Sequence, residues 1–173
     1  MLPLLMLLLA AALPPQSSGK LTFTGPEGWQ PRKAASSMRV AEFMLPRVAG
    51  DSEDAEVVVY YFGGQGGDVE ANINRWLGQM QQPDGRASKD VAKRASRIVK
   101  GFDVTVLDLS GTYVAEVRPG AAERLNKPGY AMRAAVIQTP AGPHFVKMVG
   151  PQKTMARWLP TFDGFLQSLK FIK

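Results

Sequence analysis

The stretch from Asp54 to Met80, DAEVVVYYFGGQGGDVEANINRWLGQM, constrains the fold more than any other part of the chain. Val57 to Tyr61 is an unbroken run of β-branched and aromatic residues, the composition of a strand. Because the run does not alternate with polar residues, both of its faces must be buried, which makes it a central strand with a layer above and below. Gly63-Gly64-Gln65-Gly66-Gly67 follows and reads as a tight turn needing positive φ. Glycines ahead of a helix can also cradle phosphate, but this stretch matches neither the G-x-x-x-x-G-K-[ST] nor the G-x-G-x-x-G spacing. Asp68 suits a helix N-cap. Val69, Ile73, Trp76, Leu77 and Met80 then fall on one helical stripe, and Gln82-Pro83-Asp84-Gly85 stops it.

The chain's 173 residues correspond to one domain with a core that needs no staples. There is no cysteine, which removes disulfides, thiolate metal sites and cysteine nucleophiles. His144 is the single histidine, so a multi-histidine metal site is excluded and a Ser-His-Asp catalyst would have to use it. It sits at the edge of a loop and is expected at the surface. The pattern assigns no cofactor.

Met1 to Leu13, MLPLLMLLLAAAL, is almost wholly apolar and too short for a spanning helix of about 20 residues. It fits the apolar core of a secretory signal peptide, with Ala10-Ala11-Ala12 as a cleavage-like site and Pro14 to Gly19 as linker. No basic residue precedes it, and a retained hydrophobic anchor is the competing reading. The expected organisation is residues 1–19 as signal peptide and linker and residues 20–173 as one domain. The expected location is periplasmic or extracellular, or membrane-associated if the segment is kept.

The rest of the chain supplies strands. Lys20 to Thr24, Met38 to Leu45, Phe102 to Val117, Tyr130 to Gln138 and His144 to Val149 read as strands, while Gln30 to Ser37 reads as loop. Ala49 to Asp54 is an acidic hairpin turn, solvated rather than a calcium loop, since the EF-hand spacing is missing. A last helix carries Met155, Trp158, Phe162, Phe165 and Leu169. Pro160 implies a kink there, or a main helix beginning at the proline. Short connections favour antiparallel pairing, and two amphipathic helices need two sheet faces. The expected architecture is α+β: an α/β/α sandwich with an antiparallel sheet of about six or seven strands and a helix on each side.

The net charge is +6, all of it beyond residue 19. Its densest part is Arg86 to Lys100, where Lys89, Lys93, Arg94, Arg97 and Lys100 form a candidate polyanion site. No aromatic residues interleave with these bases and no nucleic-acid module accompanies them, so a solvated edge or loop is the plainer reading and no specific nucleic acid is expected. Asp68, Glu70, Asp103 and Asp108 are the carboxylates available for a hydrolase, which would need two of them about 5–9 Å apart in a cleft.

Five segments carry a family resemblance: PEGW near residue 26, Met38 to Leu45, AEVVVYYFGGQGGDVEANINRW, GYAMRAAVIQTPAGPHFVKMVGP and the C-terminal F-x-x-F-L-x-S-L-K. Together they resemble an uncharacterised family of bacterial exported proteins within the Mog1/PsbP-like superfamily, over most of Lys20 to Lys173. The resemblance implies the same antiparallel sandwich and a role in binding or assembly. Better-known members include a Ran-binding factor, a photosystem II extrinsic subunit and bacterial envelope proteins. None of their binding residues matches here position by position. Relatives are often lipoproteins, and this chain departs from them in having no cysteine. The reading that follows is a monomeric, non-enzymatic exported module with an unknown protein or small ligand as partner and no transmembrane helix in the mature chain. A carboxylate hydrolase and a polyanion binder are the alternatives.

Overall fold

The structure is a computed structural model describing residues 20–173; the signal-peptide and linker reading lies outside them. In chain order the elements are β1 (Lys20–Thr22), β2 (Gln30–Arg32), β3 (Arg39–Leu45), β4 (Ala55–Tyr61), α1 (Val69–Leu77), β5 (Met80–Gln81), α2 (Ser88–Val91), β6 (Lys93–Val99), β7 (Phe102–Tyr113), β8 (Lys127–Thr139), β9 (Gly142–Pro151), α3 (Gln152–Gln167) and β10 (Lys170–Ile172).

The apolar run of β4 sits inside an eight-stranded sheet of order β2-β3-β4-β9-β8-β7. Beyond it, β6 and β5 pair with successive stretches of the outer edge of β7. Every pairing is antiparallel. The sheet therefore has one strand more than the upper expectation. The extra pieces are β2, in a stretch that reads as loop, and the two-residue β5. A separate two-stranded sheet pairs β1 with β10, Lys20 opposite Ile172.

Both faces of β4 are covered, as its sequence requires. Val57 and Val59 join Val104, Val106, Ala135, Ile137, Val146 and Met148 in the core under α3, where Phe162 and Phe165 are almost fully enclosed. On the opposite face α1 lies over β7 and β8. There Ile73 and Trp76 pack with Leu107, Leu109, Met132, Val136 and Phe145. Each buried large apolar side chain contributes on the order of 1.5–3 kcal/mol.

The glycine corner is set by packing. Asp68 Oδ1 accepts from the Ala71 N–H at 2.7 Å, and the buried Asn72 amide donates to the carbonyls of Gly66 (2.8 Å) and Asp68 (2.9 Å). A Cβ on Gly66 would run into the Phe145 ring, so only glycine lets the corner close on β9.

Two expectations change at α3. The helix starts eight residues ahead of Pro160 and runs through it as one element, because Met155, Trp158, Phe162 and Phe165 on both sides of the proline bury against the same sheet face. The acidic turn after β3 is a hairpin but is not merely solvated. Asp51 accepts from the Thr154 N–H (2.8 Å) and hydroxyl (2.7 Å), capping α3 from another part of the chain.

Candidate functional site

The basic segment is a short helix followed by an edge strand. Lys89 lies on α2; β6 holds Lys93 and Arg97 on the α3 side and Arg94 on the α1 side; Lys100 occupies the β6–β7 turn at φ 54°. Arg94 makes a two-bond pair with Glu70, and Arg97 pairs with Asp163. Glu70 is thereby held below the usual carboxylate range, chiefly by the Arg94 hydrogen bonds. The five cations are thus spread over a short helix, two sheet faces and a turn, and two of them have carboxylate partners.

The carboxylates do not converge either. Asp68 caps α1 and Glu70 engages Arg94 on that side of the sheet. Asp108 faces the other side, gripped by Arg133 through bonds of 2.6 and 3.0 Å. Asp103 stands near the β6–β7 turn, opposite Ile98. Among the described residues no group of three or more His, Asp or Glu side chains is arranged to hold a metal ion.

His144 is buried, at 5% exposure, which corrects the surface expectation. Its ring stacks on Tyr61 with centroids 4.4 Å apart, and Nδ1 lies 3.3 Å from the Gly142 carbonyl. Burial lowers its pKa from the ordinary imidazole value. The Tyr61 hydroxyl donates to the Ala141 carbonyl at 2.9 Å, so the pair pins the β8–β9 hairpin.

The chemically distinctive group is Lys147. A cross-strand row on the α1 side of the sheet runs Glu42, Val58, Lys147, Ala134, Leu107 and Arg94. Lys147 lies in the middle of that row at 9% exposure. Its ammonium donates to the Tyr113 hydroxyl at 3.0 Å and to Gln79 Oε1 at 3.2 Å. An ammonium has three N–H groups, and the third has no acceptor among the described residues. Burial lowers the lysine's pKa to about 8; Glu56 works against that shift, while Arg39 and Arg75 add to it. Burial also raises the Tyr113 phenol.

Toward β3 and β4 the sheet face lies outside the main footprint of α1, with Val58 still buried beside Lys147. Glu56 is exposed, and Glu42 and Tyr60 are half-buried. Arg39 pairs with Glu42 at 3.2 Å and lies over the Tyr60 ring at 5.6 Å. On the far side Tyr113 stacks on Tyr130, whose hydroxyl donates to Glu53 at 2.9 Å; Glu53 also holds Lys127. The patch offers cationic and anionic hydrogen-bonding groups on a rigid aromatic base. The sequence carries one signal for it, a lysine inside the otherwise apolar run Phe145 to Val149. Its partners Gln79 and Tyr113 come from elsewhere in the chain and left no mark.

Two clefts lie elsewhere on the described surface. One, of about 300 Å³, lies between the C-terminal end of α1, β5 and α2 and includes Arg86 and Lys89. The other, of about 450 Å³, lies between the β1–β2 loop, the β3–β4 turn and α3. No helix among the described residues is long and apolar enough to cross a membrane.

Comparison with protein-family models and with curated proteins found no match. Solved structures do match. LpqN of Mycobacterium tuberculosis, a protein involved in cell envelope biogenesis, superposes with a TM-score of 0.56 at 9% identity, over 90% of this chain and 85% of that one. This chain shares the fold of LpqN. A Pseudomonas aeruginosa protein of unknown function matches at 0.48 and 16% identity over 82% of this chain and 96% of that one. Cyanobacterial PsbP from Synechocystis matches at 0.47 and 12% identity over 94% and 98%. These two scores are too low to bear on the assignment, which rests on LpqN and on the architecture.

Proposed function

We propose that this chain is an exported, non-enzymatic binding module of the cell envelope, and that its partner docks on the open half of the α1-side face around Lys147. The observation that carries the reading is Lys147 itself. A lysine set in the middle of a sheet costs stability unless its charge is used, and here it lies near the exposed Glu56 and the half-buried Tyr60. The apolar N-terminal segment supports export, and the envelope role of LpqN, whose fold this chain shares, supports the setting. The separation of Glu70 from Asp108 by the sheet supports binding over two-carboxylate hydrolysis.

The test is affinity capture from solubilised envelope fractions with the tagged chain. A partner retained by the wild type and lost by Glu56→Lys or Tyr60→Ala is the expected result. Recovery of nothing, or of the same species by all three proteins, overturns the reading.

A second reading is polyanion binding by β6 and its flanks. It draws on Lys89, Lys93 and Lys100, which have no carboxylate partner among the described salt bridges. Heparin retention that falls when Lys93, Arg94 and Arg97 are replaced by Gln supports it; unchanged retention removes it.

A further inference from the structure

We infer that the cleft between the β1–β2 loop, the β3–β4 turn and α3 is a binding site for a small organic anion, a carboxylate or phosphate carried on a flat apolar body. The cleft's volume of about 450 Å³ lies within the range of small-molecule sites, roughly 300–1,000 Å³. Two guanidinium groups line it, Arg47 from the turn after β3 and Arg157 from α3. Neither is in a salt bridge among the described residues, and no acidic side chain lines the cleft.

Both arginines are held in place by groups that leave their charge unspent. Arg47 Nη1 donates to the Ser52 carbonyl at 2.7 Å, which fixes the guanidinium at the turn. Arg157 lies over the Trp158 indole, 5.1 Å from the ring centroid. The nearby carboxylates are already engaged with N–H donors: Asp51 with the N-terminus of α3, and Asp54 with the Arg47 backbone N–H at 2.9 Å. The planar fork of arginine recognises carboxylate and phosphate oxygens in pairs.

The apolar wall is equally fixed. The Trp158 indole N–H donates to the Pro46 carbonyl at 2.9 Å, joining α3 to the end of β3. Gly28, at φ 88°, lets the β1–β2 loop close on the indole edge, where a Cβ would come within 2.5 Å of the ring. Trp158, Pro46 and Val48 supply the apolar part of the lining. The other cleft lacks this arrangement, because its Arg86 is bonded to Asp84 at 2.7 Å. The site borders α3, on the opposite side of the sheet from Lys147, so its failure leaves the proposed partner face standing.

The test is titration of the full chain with naphthalene-2-carboxylate, followed by calorimetry and by the indole N–H resonances. Saturable binding that shifts one indole signal is expected, with the neutral 2-naphthalenemethanol binding at least about tenfold more weakly. Arg47→Gln and Arg157→Gln should each weaken binding about tenfold, and the double variant should abolish it while keeping the wild-type circular dichroism and melting temperature. Lys153→Gln, one turn away and outside the cleft, should change nothing. Absence of saturation by about 10 mM, equal binding of the neutral alcohol, or full affinity in the folded double variant overturns the assignment. Phosphatidylglycerol vesicles provide a further arm. Arginine-dependent vesicle binding without binding of the free carboxylate overturns it in favour of a membrane surface.

Discussion

The two faces of the sheet are made from the same strands and have opposite characters. On the α3 side, Val57 and Val59 of β4 meet Val146 and Met148 of β9, and a sixteen-residue helix closes over them. On the α1 side, the same two strands offer Glu56, Val58, Tyr60 and Lys147, and the nine-residue helix sits over β7 and β8 instead. The closed face holds the fold together. The open face carries a buried charge and polar neighbours that a purely structural sheet does not require. Helix length and placement, more than strand composition, decide which part of the sheet no helix covers.

The largest effect that tests this contrast is truncation on the closed face. Phe165→Ala should cost about 3–5 kcal/mol in denaturant unfolding, since its ring is fully buried against Phe23, Trp29 and Phe162. Tyr60→Ala on the open face should cost far less, about 1 kcal/mol, from its stacking on Phe62 and its contact with Arg39. Equal costs would mean that the open face is core after all.

The next effect is a pH dependence. The folded-state pKa of Lys147, about 8, lies below its ordinary value of 10.5, so between those values the unfolded chain binds more protons than the folded one. Stability should therefore rise with pH in that window, by up to about 3 kcal/mol between pH 7 and 10. Above about pH 10 the gain should be offset, because the raised phenols of Tyr60, Tyr113 and Tyr130 stay protonated in the fold while unfolded tyrosines ionise. Burial of Lys147 sets the position of that window, and Glu56, Arg39 and Arg75 are the smaller influences on it. Lys147→Met should remove the rise, as urea midpoints measured from pH 7 to 10 would show. A rise that survives in the variant belongs to another group.

Smaller effects sharpen the picture at the edges. Asp51→Ala should cost about 1 kcal/mol, as the lost cap of α3, and should lower the melting temperature measurably. Arg94→Ala should leave the melting temperature within error of the wild type despite its two bonds to Glu70, because that pair is exposed to solvent and salt.

Much of this fold could be read from residues that report on their own surroundings. The unbroken Val57 to Tyr61 run fixed β4 as central. Asp68 with Ile73 and Trp76 fixed α1, and Met155 to Phe165 fixed α3. Trp29, at the end of the PEGW motif, lies stacked against Phe165 with its indole N–H on Thr161. What escaped was short or distant. Three-residue strands such as β2 and β10 carry no periodicity of their own and exist because a partner pairs with them, the neighbouring β3 for β2 and the distant β1 for β10. Pro160 reads as a helix boundary by local rule, but the burial of Phe162 and Phe165 beyond it outweighs the one bond it removes. His144 beside Pro143 looked like a loop residue because nothing nearby announces Tyr61. The two candidate sites were least visible of all: Lys147 needs Gln79 and Tyr113, and Arg47 needs Arg157, each brought together only by the fold.

The pairing of β1 with β10 has a mechanical consequence. Lys20 lies opposite Ile172, and Thr22 opposite Lys170, so the outer ends of both strands emerge at the same end of the little sheet. A pulling force applied through those two ends loads the pairs one at a time, like a zipper opened from Lys20 and Ile172, instead of shearing them all at once. The ribbon should peel away at low force and leave the eight-stranded sheet folded, so that a tension held between the two ends would lengthen the protein before it unfolds it.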